Sequence, residues 1–501
     1  MAKSEVKWGA MLSYILTIFS SVYGLIIMPF VLGTIGESEY GVYKTIGAMT
    51  ATISVMELGL GGTMQRFLAQ YRVQREEQKC YNFSAMCMIQ AAILSTFMLV
   101  IGGCLFFTLD STYGATFTSQ ELFRAKQIFL VLVWYVALHI FENVFFGIIA
   151  GYNKFIFSNT LKLLALIFKI LLYFIILPIF KNAFAIVTIS LVIEILIIAI
   201  EYFYVRNRLN HRIKLYFWDK AVFVESLSYT LLLFIQSLLI QFNGNVDNIV
   251  IGAFIGTASV TVYSFAIQIY NMYEHCSTSI SGVILPSLTN LIYGGATSKD
   301  LENVVVKYGR VQWAILGAAL GGFICFGQEF FYLWLGDGFE DCYYLSLILM
   351  IPVTFPLIVN TCLAILKVKK LLKFRTIAMA YSVVINIVLT VVGTRIWGYW
   401  AAAIGTAIST LIGSVISLNL YYRIKLKMNM FKIYFRIMHR ITLCIVITCI
   451  VSLIISPHII GGWGAFLIKA ILFILVYSIL MIAFGLNKQE KSRILERKSK
   501  T

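Results

Sequence analysis

Charge is what this sequence has least of. Only 13% of its 501 residues are Asp, Glu, Lys or Arg, about half the share found in an ordinary soluble domain. With 60% hydrophobic residues and a mean hydropathy of +0.87, a water-soluble globule is excluded. Cysteine pairing is also missing: the 9 Cys form no CxxC and mostly stand in apolar runs, where cysteine behaves as a small hydrophobe. Neither a disulfide framework nor a metal site is expected. Long loops are absent. The largest outer connections, Leu109 to Arg124 and Gln328 to Asp341, are too short to build a core of their own, so catalysis on a water-exposed domain is excluded and the chain is not expected to be an enzyme. No small-residue cleavage site follows the apolar run after Lys7, so that run reads as a retained first span rather than a signal peptide.

What the sequence does have is apolar runs. At about 20 apolar residues per membrane crossing, they divide into fourteen expected spans: 9–33, 40–65, 81–107, 126–150, 155–180, 183–205, 223–254, 259–290, 304–327, 343–366, 376–394, 398–422, 437–456 and 462–485. The expected fold class is therefore an all-α polytopic membrane protein. The net charge of +17 could suggest a nucleic-acid partner, but the basic residues sit in short loops at alternate span ends. With this alternation the great majority of the 40 Lys and Arg fall on one face, and only Arg124, Lys126, Lys181 and Arg395 fall opposite. The positive-inside rule then places both termini in the cytoplasm, and no nucleic-acid partner is expected.

The stretch from Phe223 to Ile292 carries Asp247 and Glu274, with Asn243, Asn245, Asn248, Asn271 and His275, among Leu, Ile, Val, Phe and Tyr. Ionisable groups inside spans are functional candidates by default. A weak repeat links this stretch to the N-terminus. At an offset of 220 residues, Gly24, Ile35, Gly36, Val42, Tyr43 and Gly62 meet Gly244, Ile255, Gly256, Val262, Tyr263 and Gly282, a span–turn–span unit occurring twice, as in transporters with paired halves. One glycine is not repeated: Gly41 precedes Val42-Tyr43, whereas Thr261 precedes Val262-Tyr263.

At the end of the second span, Glu57-Leu-Gly-Leu-Gly-Gly-Thr-Met-Gln-Arg66-Phe-Leu-Ala resembles the corresponding segment of the polysaccharide exporters. These are the Wzx-type oligosaccharide flippases, in the multidrug/oligosaccharidyl-lipid/polysaccharide exporter superfamily that also holds MATE drug exporters and lipid II flippases. Asn245-Val-Asp247-Asn-Ile-Val-Ile-Gly252, Leu285-Pro-Ser-Leu288, Leu333-Trp-Leu-Gly336 and Trp397-Gly-Tyr-Trp-Ala resemble later landmarks of the same family, in the same order. The resemblance implies a MATE-like fold of two pseudo-symmetric six-helix lobes, at 1–205 and 223–422, around a cavity. A cytoplasmic linker at 206–222, two further helices at 423–485 and a basic tail at 486–501 complete that scheme. It also implies alternating access and movement of a lipid-linked oligosaccharide from the inner to the outer leaflet of the bacterial cytoplasmic membrane. Membrane lipids are expected partners, as are a polysaccharide polymerase and glycosyltransferases.

Candidate cargo contacts are Lys162, Lys169, Arg66, Asn159 and Asn271; candidate ion-coupling groups are Glu57, His139, Glu142, Asp247 and Glu274, with H+ or Na+ as the ion and no other cofactor. Asn159, Lys162, Lys169 and Tyr173 share one helical face. Both lysines could hold phosphates. Glu194 and Glu201 form the same i, i+7 stripe on the next span, however, at depths that would pair Lys169 with Glu194 and Lys162 with Glu201; the two readings stand open. His139 and Glu142, one turn apart, suit a proton relay or a plain polar contact. Glu274 and His275 point about 100° apart and cannot both face one narrow site, and Asp247 suits a turn brace as well as a cargo or ion contact. Pro29, Pro178, Pro286, Pro352 and Pro356 mark places where spans can bend. Two further functions remain in view. A MATE-type carrier of cationic drugs would want excess acid in its cavity, and a membrane glycosyltransferase or polymerase would want a larger outer loop than Gly336–Asp341.

Overall fold

The computed structural model describes residues 2–53, 59–220, 223–224, 241–242, 244–369, 371–459, 461–487 and 490–491, with side chains omitted at some positions of the first and ninth helices. Among the described residues there is no strand, and the chain is helix joined by short turns and one longer connection at 210–219. In chain order the helices are α1 (Ala2–Ile35), α2 (Glu37–Ile53), α3 (Leu60–Val73), α4 (Glu77–Tyr113), α5 (Ser119–Gly151), α6 (Phe155–Phe180), α7 (Ala183–Asn207), α8 (244–254), α9 (Thr257–Tyr293), α10 (Ser298–Leu335), α11 (Asp341–Ile358), α12 (Asn360–Val368), α13 (Lys373–Trp397), α14 (Trp400–Thr410), α15 (Leu418–Lys425), α16 (Met430–Ile455) and α17 (Trp463–Leu480). Ten stretches among the described residues are long and apolar enough to cross a membrane. Wherever the chain is described, all fourteen expected spans fall mainly on helix, so the all-α, roughly fourteen-span architecture stands.

The spans are less regular than the sequence suggests. The second is described on either side of residues 54–58, as α2 and α3, and Glu57 lies outside the described residues. The tenth breaks at Val359, between α11 and α12, just after Pro352 and Pro356, each of which removes a backbone donor and crowds the preceding turn. Wider π turns occupy Leu411–Ser417, between α14 and α15, and Met481–Gly485 at the end of α17; in the first, Ser417 Oγ donates to Ile412 O.

The chain forms two compact units, Met1–Thr261 and Val262–Thr501, so the boundary falls inside α9. In the first unit α5 is the central helix, packed by α2, α3, α4 and α7, while α1 lies along α6. Its core is built from Leu60, Met64, Phe67, Phe83, Ile140, Val144 and Ile148. In the second unit α10 packs on α11 and α16, α13 on α14, and α16 on α17, around Val305, Ile358, Ile365, Ile433, Ile437 and Ile441. There Lys469 on α17 is buried and binds both carboxylate oxygens of Glu329 on α10 at 2.8 Å.

Helix ends in the first unit are firmly tied. Thr118 and Glu121 form a capping box at the start of α5. The other oxygen of Glu121 accepts from Thr257 Oγ1 at 2.7 Å and from Ser38 Oγ. Glu39 receives Arg124 at 3.1 Å and the Ala183 N–H, at the head of α7, at 2.8 Å.

The unmatched glycine of the sequence repeat has a structural reason. A Cβ at Gly41 would overlap the Thr257 carbonyl oxygen, so α2 and the start of α9 touch backbone to backbone. Thr261, standing where the repeat would place glycine, instead donates from Oγ1 to Glu37 O at 2.8 Å.

At the opposite end of this unit, residues 210–219 run without helix and are pinned to α4. Asn82 Oδ1 accepts the N–H groups of Tyr216 and Phe217 at 2.8 and 3.0 Å. His211 is buried, with Nε2 2.7 Å from Ser84 Oγ and Nδ1 3.1 Å from Tyr152 Oη. Because Ser84 Oγ already donates to Cys80 O, Nε2 carries the ring proton and Nδ1 accepts from the tyrosine. Burial, with Arg72 nearby, pushes the His211 pKa down to about 4, so the ring is neutral near pH 7.

Candidate functional site

In the first unit, a helical hairpin and the central helix bring five ionisable side chains together. α5 carries His139 and Glu142 at i and i+3 on one face; α7 carries Glu194 and Glu201 two turns apart; α6 carries Lys162. The reversal from α6 to α7 is made by Lys181 in the left-handed region (φ 49°) followed by Asn182, whose side chain caps α7. On α6 the usual polarity is inverted: Leu164, Phe168, Leu171 and Ile175 are exposed, as suits a lipid-facing stripe, while Lys162, Lys169 and Tyr173 are on the more covered side.

The contacts differ from the pairing that helical stripes suggest. His139 Nδ1 lies 2.6 Å from Glu194 Oε1 and 3.7 Å from Glu142 Oε2. Lys162 Nζ lies 3.2 Å from Glu142 Oε1 and 4.4 Å from the centre of the Phe146 ring. Glu194 thus takes the histidine rather than Lys169, and Lys162 takes Glu142 rather than Glu201. Glu142, Glu194 and Glu201 are all buried, Glu201 completely. Neither carboxylate oxygen of Glu201 has a hydrogen-bond partner among the described residues, whereas Glu142 has the Lys162 ion pair and the longer His139 contact. Glu201 nonetheless interacts electrostatically with Glu142, Lys162, Glu194 and His139, which places it at the edge of the same cluster. An ion in so apolar a setting is costly unless its charge is compensated.

Lys169 has a different environment. Its Nζ lies 5.6 Å from the centre of the Tyr173 ring, and Tyr173 is hydrogen-bonded to Ser190. Lys169, Tyr173 and Tyr23 all interact electrostatically with Tyr43. Lys44 Nζ stands 5.3 Å from the Tyr40 ring centre and 5.9 Å from that of Tyr43. Among the described residues neither Lys44 nor Lys169 forms an ion pair. The sequence reading gave Lys44 no role, although Tyr40-Gly-Val-Tyr43-Lys44 is a compact polar and aromatic patch inside a span and could have flagged it.

The remaining candidates are dispersed. Glu57 lies outside the described residues. Arg66 is exposed on α3, with its guanidinium carbon 5.6 Å from the Phe67 ring centre. Asn159 is half-buried one turn before Lys162. Asp247 and Asn248 are buried on α8, next to Asn245, whose amide donates to Gln241. Asn271 is exposed and Glu274 half-buried on α9, both in the second unit.

Comparison with known proteins agrees with the fold. The family model for polysaccharide biosynthesis proteins matches residues 7–292, more than half of the chain. No curated protein matches by sequence. Among solved structures, lipid II flippase MurJ in an inward closed conformation superposes with a TM-score of 0.68 at 17% identity, over 94% of this chain and 98% of that one. An inward-facing MATE-family multidrug resistance transporter of the MOP superfamily gives 0.63 at 17% identity, over 78% and 93%. An outward-facing one gives 0.55 at 15%, over 85% and 95%.

Proposed function

The chain belongs to the polysaccharide biosynthesis protein family, and from that premise we propose that it carries a polyprenyl-pyrophosphate-linked oligosaccharide from the inner to the outer leaflet of the bacterial cytoplasmic membrane. The observation that supports this cargo is the pair Lys44 and Lys169, two cations without carboxylate partners among the described residues, bordered by Tyr23, Tyr43 and Tyr173. Phosphate oxygens would supply the missing negative charge, and tyrosine rings suit the faces of sugars. Carrying hydroxyls and a pyrophosphate through hydrocarbon costs several kcal/mol per group, which a polar path between leaflets removes. On this reading both termini are cytoplasmic, transport proceeds by alternating access, and a polymerase acts on the delivered units that glycosyltransferases have built. The buried acids Glu142, Glu194 and Glu201 with His139 are the proposed coupling group for H+.

The same acids give a second reading some support, since three buried carboxylates could attract a cationic drug. Both are tested in vesicles of reconstituted protein, with leaflet-resolved detection of a polyprenyl-pyrophosphate glycolipid in one arm and efflux of a cationic dye in the other. Glycolipid movement without dye efflux supports the proposal. Dye efflux alone overturns it in favour of drug export.

A further inference from the structure

We propose that His139, Glu142 and Glu194, backed by Glu201, form a binding site for a divalent first-row transition-metal ion within the first unit. One ligand atom from each of the first three residues lies within 4.8 Å of the others. Glu142 divides its two oxygens: Oε1 faces Lys162 Nζ at 3.2 Å, and Oε2 turns toward His139 Nδ1 at 3.7 Å. The lysine therefore orients the carboxylate without occupying the oxygen a metal would use. On the other side, Nδ1 and Glu194 Oε1 are 2.6 Å apart. Around an ion with bonds of about 2.1 Å, neighbouring ligand atoms stand roughly 3 Å apart, so the two His139 contacts need to change by well under 1 Å, while the two carboxylates, within 4.8 Å of each other, close onto the ion. His139 would ligate through Nδ1 with its proton on Nε2.

A second observation points to a ligand independently. Glu201 is fully buried, and neither of its oxygens has a hydrogen-bond partner among the described residues. An orphaned carboxylate in an apolar bundle marks missing positive charge. When all three acids are ionised, three carboxylates against Lys162, with a neutral imidazole, leave two negative charges. One divalent ion cancels both, whereas one monovalent ion leaves a charge buried. Lys44 and Lys169 lie against tyrosines and do not contribute to this balance. The ligand chemistry sharpens the choice: imidazole with two carboxylates suits Mn, Fe, Co or Zn, while Na, Mg and Ca favour all-oxygen sets. Protons compete for the same groups, so occupancy falls as the pH is lowered.

The site does not depend on the cargo reading, because its ligand set is the same whatever the chain transports. The test is titration of the purified full-length protein in detergent with Mn2+, followed by its electron paramagnetic resonance signal, and with Zn2+ by calorimetry, at pH 8 and pH 6. The expected result is one ion per chain, bound more weakly at pH 6. Affinity falls at least about tenfold in E194Q, an isosteric change that preserves packing, and likewise in H139Q, while H458Q, which alters an exposed histidine, retains the ion. Absence of binding at both pH values overturns the site, as does binding that survives both E194Q and H139Q. If glycolipid still moves in the vesicle assay while no metal binds, the metal site alone is refuted.

Discussion

Lys162 on α6 meets Glu142 on α5, its ammonium 3.2 Å from a carboxylate that is otherwise shut away from solvent. Removing the cation strands the acid. K162M is expected to lower stability by about 2 kcal/mol, below the 3–5 kcal/mol typical of a broken buried pair because Lys162 is itself about one-third exposed. The double variant K162M/E142Q is expected to recover most of the loss. Unfolding of the two variants beside E142Q measures the coupling, and additive losses would rule out the pair as a stabilising contact.

Lys169 makes no such pair among the described residues, so its loss should leave the fold intact. K169Q is expected to keep wild-type abundance and melting temperature while glycolipid transport falls at least about tenfold, the scale of one lost charge-assisted contact. K44Q is expected to behave likewise. A parallel drop in folded protein would assign both lysines a structural role instead.

Gly41 allows α2 to rest on the backbone of α9 at Thr257. A methyl group there meets main chain rather than a side chain that can rotate away. G41A is therefore expected to cost about 1–3 kcal/mol as overpacking, while G33A, at an open position, costs little. Thermal melts of the two variants give the comparison; equal melting temperatures would contradict the close approach.

His211 supplies a pH dependence with a defined sign. Its folded pKa, about 4, lies below the ordinary value of 6.5. The neutral ring therefore adds stability above about pH 6.5, and that contribution is lost as the pH falls toward 4. Amide protection factors across 210–219, that is, exchange rates corrected for their intrinsic pH dependence, should fall over this window in the wild type. In H211Q, whose amide does not titrate, this loss of protection should vanish; a wild-type segment equally protected at pH 7 and pH 4.5 would refute this role of His211.

How far the sequence could be read depends on the length scale of the feature. Span positions and the all-α class follow from hydropathy, because a bilayer imposes a length of about 20 residues on every crossing. Intrahelical relations such as His139 with Glu142, or Glu194 with Glu201, follow from the 3.6-residue period. Gly41 was visible as a departure from the repeat, but its purpose was not, since nothing local shows that the Thr257 carbonyl fills the space.

The sequence by itself therefore determined that this is a many-span membrane protein with acids and bases buried on particular helix faces. Only the tertiary structure decided who meets whom: His139 with Glu194, 55 positions away, Lys162 with Glu142, and the two lysines left among tyrosines. Each residue along a helix turns the side chain by about 100° and raises it about 1.5 Å. A partner on another helix is thus fixed by that helix's rotation and depth, and these are set by the packing of α5, α6 and α7 together rather than by any one of them alone.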